Sequence, residues 1–386
     1  MPRATILPAL LLLLAMFAPV CNAQLGKNIT IPAGSEVDRQ INDINAAEPA
    51  QKLQLIDQFS QAHPEGDYQI LADEQYVNYY INAKQYDKAI EYGDKLFALD
   101  PDNFQNALNM IRAANEKGDT EKLFKYGEKA MSIIQAFQKS PPPSGADAQS
   151  WERSKAEKLE AQKANLDYIH QSLVTAAYNV KDPATKAGYF ERLAKMYGDT
   201  PDGTQALTMA AFSYQQAQER SKMLAAANAV LAKNPENIGM LLLLADDYSE
   251  KGEQLDKAEG YAKKALTLSD SAKKPNDVTD EQWKQEASVQ KGLALSALGQ
   301  ISLQKKLNLP AVDYLTKAAP LLKSNAVSYA RNQYRLGFAY VNLKKNAEAK
   351  QAFTDAASVD SPYKGPAQQK LTELAAAKPA PHKKPS

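Results

Sequence analysis

The chain has 386 residues, with 46 Lys and Arg against 45 Asp and Glu, a formal net charge of +1. That balance lacks the basic excess of a nucleic-acid binder, and 17 Gly and 21 Pro are too few for a collagen-like or wholly disordered chain. One Cys and three His exclude a disulfide scaffold, an iron–sulfur protein, cysteine catalysis and most zinc sites.

The first element is apolar. Arg3 precedes a stretch from Ile6 to Val20 in which every residue is apolar or Pro, and small residues follow at Cys21 and Ala23. Those two stand at the −3 and −1 places of a signal-peptidase site, so residues 1–23 read as a cleaved secretory signal peptide, with an uncleaved anchor as the alternative. The run is short for a membrane span, which needs about 20 apolar residues. Cleavage leaves Gln24 as the first mature residue and removes the lone Cys, which suits an oxidising compartment. Pro19 and Val20 before Cys21 do not resemble a lipoprotein signal, so lipidation is not expected. Residues 24–35 read as a flexible segment, in which Asn28-Ile29-Thr30 matches a glycosylation acceptor. No later apolar run is long enough to span a membrane; the longest, Met240 to Ala245, is core-sized.

From residue 36 the chain repeats itself. Leu207 and Leu241, Tyr214 and Tyr248, and Pro201 and Pro235 are each 34 residues apart. A degenerate copy near 36–66 carries Leu53, Ile56 and Phe59 before Pro64. The copy 70–103 has Tyr76, Tyr80, Ala89, Leu96 and Pro101, and 104–137 has Met110, Gly118 in a turn and Ala130. The array then breaks at the Pro-rich loop 141–150, after which Trp151 to about Val180 reads as one long helix. A second degenerate copy near 168–201 holds Tyr178 and Pro201. The copy 204–237 has Leu207, Ala210, Ala211, Tyr214, Ala227 and Val230. In 238–271, Leu241, Leu244, Ala245 and Tyr248 keep the frame, but Ala258 falls one place late, as if the turn gained a residue. After a loop at 272–279, Thr279 and Gln282 form a capping-box pattern that opens a long helix through Trp283 to about Lys306. The copy 292–325 has Leu295, Leu298, Gly299, Ala311, Leu315 and Ala318, and 330–363 has Leu336, Gly337, Tyr340, Ala349, Phe353 and Ala356. Each Trp is expected to pack against the preceding repeat, with a docking role for the long helices as the alternative. Residues 376–386, rich in Lys and Pro, read as a disordered basic tail.

A 34-residue period with apolar or small residues at positions 4, 7, 8, 11, 20, 24 and 27 resembles the tetratricopeptide repeat, here of an exported bacterial type. The resemblance covers most of 36–363, as N-terminal repeats at 36–140, a long helix and central repeats at 151–271, and a long helix and C-terminal repeats at 280–375. It implies an all-α, right-handed superhelical solenoid of helix-turn-helix repeats, each covering its neighbour's apolar face. It also implies that the first helix of each repeat lines a concave face and that positions 2, 5, 6, 9, 12 and 13 meet a partner. Those positions hold Glu74, Asn78 and Asn82; Gln105, Asn109, Arg112 and Asn115; Phe212, Gln215 and Gln216; and Arg331, Tyr334, Arg335 and Phe338. The last four share one helical face and carry the Arg and aromatic chemistry of binding hot spots. A family variant clamps a partner's C-terminal carboxylate; Asn78 and Asn109 fit it, but Glu74, Ile169 and Leu173 stand where its cations would be, so no such clamp is expected.

Catalytic and metal patterns are absent. There is no His-Glu-x-x-His, no phosphate-binding Gly-Lys loop and no Gly-x-Ser-x-Gly. His63, His170 and His382 are scattered, and Asp246 and Asp247, neighbours on a helix, read as solvated acids. The expectation is an exported, non-catalytic scaffold without cofactor or metal, binding a protein or peptide and not nucleic acid, with the bacterial periplasm preferred. The alternatives are an assembly factor of the outer membrane or secretion machinery, or an enzymatic or carbohydrate-binding accessory of the envelope.

Overall fold

The computed structural model describes residues 25–271, 273–274 and 278–376, so the signal segment, Cys21 and the basic tail lie outside the described residues. Among them every regular element is a helix, as apolar spacing near 3.6 residues dictates. The chain divides into two compact units at 180/181. In each, successive helices pack on one another in chain order, an all-α solenoid of tetratricopeptide-like hairpins.

The first unit contains α1 (Glu36–Ala46), α2 (Pro49–Ala62), α3 (Asp67–Asn82), α4 (Tyr86–Leu99), α5 (Phe104–Lys117), α6 (Thr120–Lys139), α7 (Ala148–Ala161) and α8 (Lys163–Asn179). The second contains α9 (Pro183–Tyr197), α10 (Pro201–Gln216), α11 (Arg220–Lys233), α12 (Ile238–Lys251), α13 (Leu255–Ser271), α14 (Asp280–Gln304), α15 (Asn308–Leu321), α16 (Ala326–Asn342), α17 (Asn346–Ala357) and α18 (Lys364–Ala376).

The 34-residue frame is written in the backbone. In six hairpins the residue at repeat position 15 has positive φ: Lys84, Gly118, Gln218, Gly252, Lys306 and Lys344. The next N–H reaches back five residues in every case, Gln85 to Tyr80, Asp119 to Ala114, Glu219 to Tyr214, Glu253 to Tyr248, Leu307 to Ser302 and Lys345 to Tyr340. This closure satisfies carbonyls that a helix end would leave without partners. The extra residue expected in 238–271 is present: Gln254 adds a second positive φ, and α13 starts one residue later in the frame than its counterparts. Asn103, Asn237 and Asn325 each cap the following helix by accepting a backbone N–H. Small residues stand where helices approach closely. A Cβ on Gly337 would lie 2.5 Å from the Phe353 ring, and one on Gly93 would overlap the Met110 side chain.

Three expectations need correction. Trp151–Val180 is not one helix: it breaks at Gln162, whose N–H turns back to Leu159 O at 3.0 Å, a bond one residue shorter than the helical repeat. The degenerate copy near 168–201 is not a hairpin. The unit boundary falls within it, α8 packs on α5 and α6, α9 packs on α10, and Tyr178, expected in the core, is 43% exposed. Asp246 and Asp247 are both ion-paired rather than solvated, as described below. The capping box at Thr279 and Gln282 is present and opens α14. Trp151 does pack on the preceding repeat: its indole N–H donates to Ser140 O at 3.2 Å and its ring meets Phe137 edge-on. One turn on, the buried Lys155 donates to the Gln138 and Ser140 carbonyls, so two α7 side chains cap the end of α6.

Candidate functional site

In the second unit the first helices of four successive hairpins, α10, α12, α14 and α16, line two adjoining clefts. One, of about 300 Å³, has an apolar floor of Phe212, Leu242, Leu243 and Leu293, with Gln215, Gln290 and Ser328 at its edge. Gly239 borders the floor closely: a Cβ there would stand 3.2 Å from the Phe212 ring. The other, of about 280 Å³, is lined by Gln300, Gln304, Asn342, Tyr334, Phe338 and Tyr363. Arg331 borders both.

Between the clefts, α16 is tied directly to α12, two hairpins earlier. Arg331 Nη1 lies 2.6 Å from Asp246 Oδ2, and Arg335 Nη2 lies 2.9 Å from Asp246 Oδ1. Arg335 also bonds Glu250 and donates to Ser296 Oγ of α14 at 3.1 Å. Burial pushes the Asp246 carboxyl up, but the two guanidinium charges outweigh it and hold the group below the usual carboxylate range. Asp247 points elsewhere, as a helical neighbour must, and takes a bidentate pair from Arg220 at 2.9 and 2.7 Å.

The structure thus brings Phe212, Gln215, Arg331, Tyr334, Arg335 and Phe338 to one surface, though not in equal standing. Arg335 is 4% exposed, so its charge is spent inside the protein rather than offered outward. Tyr334 and Phe338 meet edge to face at 5.0 Å and both pack on Phe353, under Leu371 and Leu374 of α18. In the first unit Asn78, Asn82 and Arg112 are exposed on α3 and α5, and Asn109 Nδ2 lies 3.4 Å from Asn78 Oδ1. Asp246, Glu250, Gln300 and Gln304 were missed, although the same rule names them. They occupy positions 9 and 13 of the copies 238–271 and 292–325.

Among the described residues no three or more His, Cys, Asp or Glu are grouped to hold a metal ion, and no helix is long and apolar enough to cross a membrane. His63 is a turn residue, its ring against Phe59 and Tyr68 and its Nε2 3.1 Å from Gln40 Oε1.

No protein-family model and no curated protein matches the chain. Among solved structures it is similar to a chain of the APC/C hetero-tetramer Cut9–Hcn1, at 11% identity and TM-score 0.43 over 88% of this chain. It spans 62% of that chain's length. It is also similar to the TPR domain of P58(IPK), at 12% identity and TM-score 0.29 over 88% of this chain and 98% of that one. NprR in complex with its cognate peptide NprX matches at 14% identity and TM-score 0.32, over 90% of this chain and 84% of that one. Six hairpin turns closed in the same way at position 15 of their copies, rather than these low overall similarities, mark the fold as a tetratricopeptide-like helical array.

Proposed function

We propose that the protein is an exported, non-catalytic interaction scaffold that receives an extended peptide segment of a partner protein along the clefts of the second unit. The observation that carries this reading is the lining itself: Gln215 and Gln290 edge the apolar floor of one cleft, and Gln300, Gln304 and Asn342 line the adjoining one. An extended backbone presents both N–H and C=O groups, and Asn and Gln side chains offer both an acceptor and donors. Apolar pockets then select side chains. Export is supported by the apolar N-terminal run after Arg3 and by the lack of Cys beyond residue 21, with the bacterial periplasm as the preferred compartment.

The test places a photo-crosslinking residue at Gln215, at Asn342 and, on the opposite side of a hairpin, at Lys350. Irradiation in the native envelope fraction should give one protein adduct shared by the first two positions and absent from Lys350. Adducts at Lys350 alone, or a co-purifying glycan with no protein adduct, would overturn the reading. Mass analysis of the purified chain should find Gln24 at the amino terminus; Met1 would overturn cleavage of the leader.

A further inference from the structure

In the second unit the turns α12–α13, α14–α15 and α16–α17 lie side by side along one edge. Gln304 Nε2 donates to Ser249 O at 3.1 Å, which ties the first to the second, and Asn342 Nδ2 donates to Asn308 Oδ1 at 3.0 Å, which ties the second to the third. The middle turn carries Leu307 at 50% and Leu309 at 68% exposure, with Pro310 exposed beside them. The fold itself does not call for leucine there. The same place in the frame as Leu307, position 16, holds Gln85, Asp119, Glu219, Glu253 and Lys345 in the other turns closed this way. It is also the N-cap of the second helix. Asp119 fills that role by accepting the Lys122 N–H, whereas Leu307 has no oxygen to offer and α15 starts without a side-chain cap. The turn gives up a cap and leaves apolar surface in water, a local rule broken with no gain inside the fold.

The charges around the leucines are one-sided. Lys251, Lys306, Lys344 and Lys345, from the three turns, are exposed and form no ion pair among the described residues. The acids of the same edge are mostly taken: Glu250 bonds Arg335, Glu253 pairs with Arg220, and Asp256 and Glu259 pair with Lys305. Glu348 remains exposed and unpaired against those four cations. Lysine is depleted where proteins bind one another, so leucines ringed by free lysines do not suit a protein partner. They suit a bilayer surface. There a lysine lays its alkyl stem along apolar material and keeps its ammonium among the headgroups, and anionic lipids attract each such charge.

We propose that this edge rests on an anionic phospholipid surface, with Leu307 and Leu309 entering the headgroup layer and Lys306, Lys344 and Lys345 among its phosphates. The contact is small. Two apolar side chains do not anchor a protein by themselves, so binding is reversible and needs the charges as its second signal. It is therefore weakened by salt. The proposal does not depend on the peptide reading or on export.

The experiment puts an environment-sensitive fluorophore on the turn. In the full chain carrying Cys21→Ser, the thiol of Leu309→Cys is labelled. Val327→Cys is the control, because Val327 is also 50% exposed but stands at the opposite end of α16. Vesicles of phosphatidylcholine mixed with phosphatidylglycerol should shift the label at 309 to the blue, and lipids brominated on the acyl chain should quench it. The label at 327 should do neither. Because the readout belongs to position 309, adhesion of the apolar run after Arg3 does not imitate it. Pure phosphatidylcholine, or Lys306→Glu together with Lys344→Glu, should weaken the response at least about tenfold, and Leu307→Ser should weaken it severalfold. All these side chains are exposed, and helical circular dichroism checks that each variant is folded. No shift at 309, or equal shifts at 309 and 327, would overturn the proposal. So would a blue shift that needs no vesicles and grows with protein concentration, which would assign the leucines to contact between copies of the chain.

Discussion

Lys84, Gln218, Lys306 and Lys344 share a backbone conformation with Gly118 and Gly252, all closing the same hairpin turn. For a residue with a Cβ the left-handed region costs roughly 1–2 kcal/mol, partly offset because Gly loses more freedom on folding. Lys84→Gly and Lys344→Gly should each stabilise the chain by about 0.5–1 kcal/mol in denaturant unfolding, and Gly118→Ala should destabilise it by a similar amount. Unchanged midpoints would mean that the turns are held by something other than the dihedral preference. Gly118 was legible as a turn residue because glycine marks turns; a lysine does not, and only the frame supplied by the neighbouring copies identifies it. Asn106 and Asn332 were illegible for a related reason. Both sit at repeat position 3, outside the apolar pattern, yet each donates from Nδ2 to the carbonyl at position 24 of the preceding repeat, Gly93 at 2.8 Å and Leu315 at 2.9 Å.

At the scale of elements, the tie between α16 and α12 sets the space between the two clefts. Arg335 is buried and meets Asp246, Glu250 and Ser296, whereas Arg331 keeps about a fifth of its side chain exposed and meets Asp246 alone. Removing one partner of a buried ion pair costs about 3–5 kcal/mol because the other charge is left uncompensated. Arg335→Ala should approach that loss in the second unit, while Arg331→Ala, at a wetter pair, should cost about 1 kcal/mol. The tie also has a pH signature. The folded Asp246 carboxyl titrates below its usual range, so its stabilisation is fully present above the unfolded value of about 4 and is lost as pH falls through the lower folded value. Unfolding followed from pH 6 downward should show that loss starting below about pH 4, and Asp246→Asn should remove that part of it. A variant with the wild-type acid profile would assign the loss to other carboxylates. The tie explains why only part of the site was readable. Helical spacing put Arg331, Tyr334, Arg335 and Phe338 on one face, but the acids that claim the arginines lie 85 and 89 residues away, and no local pattern shows a contact of that range.

Across the whole molecule, the repeat frame was legible because each hairpin is a local structure, set by side chains within 34 residues of each other. The division at 180/181 was not, because a degenerate copy and a true break look alike when apolar residues are sparse; Tyr178 fits position 11 by type and is nonetheless at the surface. Stacked repeats also carry an expectation about how disturbance spreads. If only neighbouring hairpins touch, a defect at one end fades within a repeat or two. In the second unit the α16–α12 tie adds a link that skips α14 in sequence. Gly337→Ala forces a Cβ against the Phe353 ring and should cost about 1–3 kcal/mol as overpacking. Hydrogen exchange should then quicken in α16 and α17 and, through Asp246 and Glu250, in α12, while α10 stays slow. In a chain already carrying Arg331→Met and Arg335→Met, which removes both links to Asp246, adding Gly337→Ala should quicken α16 and α17 and leave α12 where the double substitution put it. Acceleration of α12 in both cases would show that the disturbance travels through the packing of α14, and that the ion pairs hold the cleft without transmitting strain.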